Sequence, residues 1–309
     1  MDIVTGTLDF ELNRETAVAI GKFDGLHLGH QSLLQEILKK KEAGLAACVF
    51  TFDPSPAVFF GFADGKELTT KEEKRRLLQQ LGVDILVEFP MTRESAAMEP
   101  RAFIEEILVK KMHMRFLAAG VDVSFGNRGA GNAELLQSCA GICRYELKTI
   151  EKVKLGETEI SSTLVRRQVE SGNMAYVQEL LGMPYTVSGI VQHGKALGRK
   201  LGMPTVNLLP EADKLLPPKG VYYSQVIYNG RRYAAISNIG CKPTVSSEEI
   251  IGVESYLYDF AETIYGECIE VELLDFKRPE MRFNSVEELK EQMKRDILQG
   301  NDYHLTKRG

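Results

Sequence analysis

The chain has 309 residues, 44% hydrophobic and 26% charged, a composition suited to two globular domains of ordinary size. A formal net charge of -5 argues against a broad nucleic-acid surface, although a few converging cations and bare amides can still hold an anion. Five cysteines (Cys48, Cys139, Cys143, Cys241, Cys268) form no C-x-x-C pair, which speaks against a disulfide framework and a cysteine zinc site.

The segment MDIVTGTLDFELNRE is acidic and lacks the apolar core of a secretion signal, and no run approaches the ~18 apolar residues of a membrane helix. A cytoplasmic protein with no membrane or nucleic-acid partner is expected. Along the first part of the chain, apolar runs alternate with helical patterns, as in parallel sheets. TAVAIG (16–21) reads as a strand, HLGHQSLLQEILKKKEAG (27–44) as a helix stopped by Gly44, and LAACVFTF (45–52) as the next strand. TTKEEKRRLLQQLG (69–82) carries a Thr70/Glu73 capping box and closes at Gly82. VDILVEF (83–89) is a third strand, EPRAFIEEILVKKMH (99–113) a helix with Pro100 near its start, and FLAAGVDV (116–123) a fourth strand. Two short helices, ISSTLVRRQVESG and NMAYVQELLG, end a three-layer α/β region.

After Leu181-Gly-Met-Pro184 the texture changes. YTVSGIVQHG, GVYYSQVIYNGRRYAAISNIG and IEVELLDF read as strands, and Asn229-Gly230 as a tight hairpin turn. One helix returns, SVEELKEQMKRDILQG, opened by a Ser285/Glu288 box. Many strands and one helix predict a small antiparallel barrel. The boundary falls near Gly182–Tyr185, giving domains 1–183 and 184–309.

GKFDGLHLGH (21–30) is the densest stretch. Three residues apart on a first helical turn, His27 and His30 share a face, while Gly25 and Gly29 admit close backbone approach. Protonatable imidazoles, unpaired amides and a positive helix end suit an anion that gains charge during a reaction. A zinc site would need further ligands, and His113, His193 and His304 stand at no such spacing. The remaining alternative is a buried structural pair. Ile160-Ser-Ser-Thr163 opens another helix; its hydroxyls by default merely cap, yet Arg166 in the first turn adds a bidentate phosphate donor. Two such corners in one α/β domain favour a nucleotide site.

With these motifs, and with Phe52-Asp-Pro-Ser-Pro56, Leu68-Thr-Thr-Lys-Glu-Glu-Lys74, Gly120-Val-Asp122 and Phe125-Gly126, the chain resembles the bifunctional riboflavin kinase/FMN adenylyltransferases, the prokaryotic FAD synthetases. The resemblance implies a Rossmann-like nucleotidyltransferase domain followed by a riboflavin kinase β-barrel with a terminal helix. It implies that His27 and His30 contact ATP phosphates, that Ser162, Thr163 and Arg166 hold the departing pyrophosphate, and that Gly21, Phe23, Asp24 and Gly25 shape the loop beside the adenylate. FMN would attack the α-phosphate of ATP directly, a reaction needing alignment and electrostatic stabilisation. Two departures stand out: Ser55 occupies a position where the family usually has histidine, and Asn127-Arg-Gly-Ala-Gly131 places its arginine unusually.

In the second domain, Gly189-Ile-Val-Gln-His-Gly194-Lys195-Ala196 nearly spells a phosphate loop but lacks the hydroxyl at 196, and it is set aside. The stretch through Gly194, Gly198, Arg199 and Pro204-Thr205-Val206-Asn207 resembles the riboflavin kinase pattern, with Val206 for the usual alanine. Thr205 and Asn207 alternate onto one face of a strand, where two oxygens could reach a hard cation; the plainer reading is a turn and a paired strand. In Gly252-Val-Glu254-Ser-Tyr-Leu-Tyr258, Glu254, Tyr256 and Tyr258 point one way and Val253, Ser255 and Leu257 the other. A carboxylate there is commonly a solvated edge group. The resemblance implies instead that Glu254 is the base for the riboflavin hydroxyl, that Thr205 and Asn207 hold magnesium, and that Gly194, Gly198 and Arg199 contact ATP. Two other readings remain at this stage: a riboflavin kinase with a weakened adenylyltransferase domain, and a flavin- or nucleotide-binding regulator without turnover.

Overall fold

The computed structural model describes residues 1–193, 202–242 and 250–307. It divides into two compact units, Met1–Ser162 and Thr163–Gly309.

The first unit is built on a six-stranded sheet: β1 (Asp2–Thr5), β2 (Thr16–Ile20), β3 (Ala46–Asp53), β4 (Ile85–Pro90), β5 (Met114–Gly120) and β6 (Glu146–Ile150). Its order is β1-β4-β3-β2-β5-β6, with every pairing parallel. The central β2, TAVAI, is buried throughout, because parallel sheets are covered on both faces. Alternate residues feed two cores: Ala17 and Ala19 pack with Leu33, Leu34 and Ile37, while Val18 and Ile20 pack with Phe103, Ile104 and Leu108. Helix α1 (Leu28–Lys39) supplies the first set. It tightens into a 3₁₀ turn over Lys40–Ala43 and stops at Gly44, whose φ of 82° needs no Cβ.

Short α2 (Pro56–Phe59) follows β3, then α3 (Lys71–Gln80), where the Thr70/Glu73 capping box is complete. After α4 (Arg93–Ala96), α5 (Pro100–Ala102) leads into Phe103–Lys111, which is wound as a π-helix rather than the expected α-helix. Helix α6 (Ala133–Cys143) precedes β6, and a small hairpin, β7 (Lys154–Leu155) with β8 (Thr158–Glu159), leads to α7 (Ser162–Glu170).

In the second unit, α8 (Met174–Leu181) packs on β9 (Tyr185–Gln192) and β14 (Cys268–Pro279). With β10 (Val206–Leu208), β11 (Gly220–Tyr228), β12 (Arg231–Lys242) and β13 (Ile250–Leu257) they close an antiparallel barrel, in the order β10-β13-β12-β11-β14-β9. Asn229 and Gly230, at φ 48° and 74°, make the expected β11–β12 turn. Inside the barrel the hydroxyls of Ser224, Ser237 and Ser255 satisfy one another at 2.7 Å per step. Helix α9 (Val286–Thr306) lies against β12. Its cap is a variant of the expected box: Ser285 accepts from the Glu288 amide, but Glu288 accepts from the Asn284 amide rather than that of Ser285.

Candidate active sites

In the first unit, a cavity of about 550 Å³ opens where β2 and β3 end, at the carboxyl edge where parallel sheets place ligands. Gly21, His27, His30 and Ser162 line it, together with Ser55 and Lys22. The loop leading to α1 is tightly determined. Phe23 and Leu26, both fully buried, sit at φ 50° and 46°, a conformation bulky residues adopt only when their surroundings impose it. Asp24, 1% exposed, imposes it by accepting from the Leu68 amide at 2.7 Å, while the Gly25 amide donates to Thr69 Oγ1. Phe23, Asp24 and Gly25 therefore shape the loop from behind and do not line the cavity. Ser162 Oγ donates to the Asp24 carbonyl oxygen at 2.9 Å. Thr163 and Arg166 follow on α7, in the second unit.

His27 is the N-cap of α1, and its Nδ1 accepts from the His30 amide at 3.4 Å. That acceptor role puts the imidazole proton on Nε2. The two rings stack with centroids 3.8 Å apart. Burial outweighs the nearby Asp24 carboxylate and lowers the His27 pKa to about 4. Burial first, then His27, Lys74 and Lys22, hold His30 well below the ordinary value. Both imidazoles are neutral near pH 7, so they offer an anion N–H donors rather than full charges. Lys22 and the helix N-terminus supply the positive field. Among the described residues three buried polar atoms lack partners, and two of them, His30 Nδ1 and Ser55 Oγ, belong to residues lining this cavity. A ligand would complete them.

In the barrel, Asn207, Glu254 and Asn238 sit opposite one another on β10, β13 and β12, so their side chains share one face. Val253, Ser255 and Leu257 point into the core, at 0%, 1% and 5% exposure, as the alternation of the sequence requires. Thr205 Oγ1 donates to Glu254 Oε1 at 2.5 Å. Two cavities flank this pair. One, of about 310 Å³, is lined by Glu254, Asn238, Tyr256, Ile236 and the α9 residues Leu289, Met293 and Ile297. The other, of about 350 Å³, is lined by Pro204, Val206, Phe260, Glu262 and Tyr265. Thr205 lines both. Gly194, Gly198 and Arg199 lie outside the described residues. Sequence reasoning left the flavin contacts open; the 289/293/297 spacing on α9 is the signal that marks an apolar helix face over the barrel.

The FAD synthetase family matches residues 9–164 and the riboflavin kinase family residues 181–304. The chain belongs to the bifunctional riboflavin kinase/FMN adenylyltransferase family. A relative of that name from Listeria monocytogenes is 36% identical over 283 residues, covering 90% of this chain and 89% of the relative. The one from Escherichia coli K12 is 37% identical over 294 residues, covering 94% and 93%. The Bacillus subtilis relative is 33% identical over 295 residues, covering 93% of each. A crystal structure of a Streptococcus pneumoniae protein named a macrolide-efflux protein superposes with a TM-score of 0.84 at 30% identity, covering 95% of this chain and 96% of that one. Among the described residues, no helix of this chain is long and apolar enough to cross a membrane.

Proposed function

We propose that the chain catalyses two consecutive ATP-dependent reactions, phosphorylating riboflavin to FMN and adenylylating FMN to FAD with release of pyrophosphate. Adenylylation is assigned to residues 1–183 and phosphorylation to 184–309, in the cytoplasm. Family membership over nearly the whole chain favours this reading over a kinase with a silent partner domain or a binder without turnover.

One observation carries the kinase assignment: Thr205, bonded to Glu254, belongs to the linings of two separate cavities. Transfer of a phosphoryl group between two bound molecules needs such a shared point. Riboflavin would occupy the cavity under α9, whose apolar side chains suit a flat ring, with ATP in the second. Glu254 would accept the ribityl hydroxyl proton as that oxygen attacks the γ-phosphorus and ADP leaves.

Thr205 and Asn207 would hold a magnesium ion. The donor set fits: both offer oxygen, and the Thr205 proton is committed to Glu254, leaving the hydroxyl lone pairs for a hard cation. A magnesium ion held there would supply positive charge against the charge that develops on phosphoryl transfer.

In the first unit the His27 Nε2–H, the α1 amides and Lys22 would grip the ATP phosphates while an FMN phosphate oxygen attacks the α-phosphorus and pyrophosphate departs. Ser162, Thr163 and Arg166 would hold the leaving group.

The test supplies purified protein with magnesium and ATP, and with riboflavin or FMN, then separates the flavins by chromatography. FAD from both is the expected result. No phosphorylation of riboflavin and no FAD from FMN would overturn the proposal.

A further inference from the structure

Helix α9 forms the apolar wall of the 310 Å³ cavity through Leu289, Met293 and Ile297, spaced i, i+4, i+8. A carboxylate interrupts that stripe. Asp296 lines the same cavity and is only 5% exposed. A buried carboxylate is costly unless its partners are well placed, and here they are dense. Arg278 approaches with Nη2 at 2.5 Å from Oδ2 and Nε at 3.2 Å from Oδ1, Lys277 Nζ stands at 3.3 Å, and Gln292 Nε2 donates at 3.0 Å. Burial raises the Asp296 pKa, but Arg278, Gln292 and Lys277 together hold it below the ordinary value, so the latch is ionic. Arg278 is itself part of the cavity wall, on β14.

Further side-chain ties join α9 to the strands next to the cavity, among them Lys277 Nζ donating to Gln299 Oε1. Tyr258 Oη donates to the Ile297 carbonyl at 2.5 Å, and His304 Nε2 meets the Ala235 carbonyl at 2.9 Å. Those contacts keep the helix seated even if the ionic latch is lost.

We infer that the Arg278–Asp296 pair is a positioning latch that fixes α9 as the flavin-facing wall, so that it governs riboflavin affinity and not phosphoryl transfer. The inference rests on riboflavin occupying this cavity. Neither group is needed for the chemistry assigned to Glu254 and Thr205. Removing the Asp296 charge leaves Arg278 and Lys277 without their shared carboxylate, and removing Arg278 leaves Asp296 with Lys277 and Gln292 alone, so in either case the wall is held less firmly.

The experiment measures riboflavin binding by flavin fluorescence quenching, alongside steady-state FMN formation, in the full chain. Asp296→Asn is expected to raise both the Kd and the KM for riboflavin by about tenfold or more, with kcat and the KM for ATP within about twofold. Asp296→Glu, which keeps the charge, is expected to restore binding to within about threefold of the parent. Arg278→Gln should reproduce the asparagine phenotype and serves if Asp296→Asn does not fold. Parent-like riboflavin binding in both Asp296→Asn and Arg278→Gln, or a fall in kcat at unchanged KM, would overturn the latch. A parent protein that binds no riboflavin would overturn the site assignment, and the latch with it.

Discussion

Thr205 donates its hydroxyl proton to Glu254 across 2.5 Å, and the same threonine borders both barrel cavities. The pair thus stands where two substrates would meet. Replacing the hydroxyl by a methyl in Thr205→Val leaves the shape nearly unchanged. It is expected to lower the rate of FMN formation by roughly 100-fold while riboflavin binding stays within a few-fold, because the hydroxyl bonded to Glu254 and proposed as a magnesium ligand is lost. Fluorescence titration and a flavin kinase assay on the same sample check both halves.

The neutral histidines make stability depend on pH. A His27 pKa lowered from 6.5 to about 4 means that the unfolded chain binds a proton between those values and the folded chain does not. Stability is therefore full above about pH 6.5 and falls as pH drops toward 4, by ~3 kcal/mol from this residue. Carboxylates with lowered pKa, such as Asp84 and Asp296, lose their contribution only below their ordinary value of 3.8. Urea denaturation of the protein at several pH values should show the loss, and His27→Gln should reduce it, leaving the part due to His30.

Gly29, between the two histidines, is there for space. A Cβ at this position would lie 3.1 Å from Cε1 and Nδ1 of His27, closer than side chains tolerate without the ring moving. Gly29→Ala is a good helix substitution otherwise, so melting temperature should change little or rise. FAD formation from FMN is expected to fall by about tenfold or more, since the proposed donation from His27 to an ATP phosphate depends on the ring keeping its position.

Ser55 Oγ is buried at a cavity wall and has no partner. Removing an unpaired buried hydroxyl does not cost stability, so Ser55→Ala should melt at or above the parent temperature. If the hydroxyl serves bound substrate, the same variant raises the KM for ATP or FMN several-fold. Calorimetry paired with adenylylation kinetics gives both readings; unchanged kinetics would remove Ser55 from the site.

Much of this was legible in the sequence because several local signals agreed. The strand TAVAI, the Thr70 box, Gly44 and Asn229-Gly230 each combine a pattern with a stereochemical requirement. The face of the strand that Glu254 occupies was legible because two-residue alternation separates it from Val253 and Ser255, whereas its role as a base came only from the family resemblance. The edge strands β1 and β6 were not read. β6, ELKTI, has no buried residue and β1 pairs with β4 alone, so neither carries the apolar signature of the central strands. The ionisation of His27 and His30 was also hidden, since it depends on burial by residues distant in sequence. The cavity under α9 was hidden for a similar reason: its lining joins β12, β13, β14 and the terminal helix.

The central claim is that one chain holds two separable reactions, and it is tested by silencing each in the intact protein. Glu254→Gln and His30→Ala are supplied with magnesium and ATP, and with either riboflavin or FMN, and the products are separated by chromatography. The account predicts that Glu254→Gln makes no FMN from riboflavin yet still converts FMN to FAD, whereas His30→Ala accumulates FMN from riboflavin and makes little FAD. Loss of both activities in either folded variant, or adenylylation at the parent rate in His30→Ala, would contradict it.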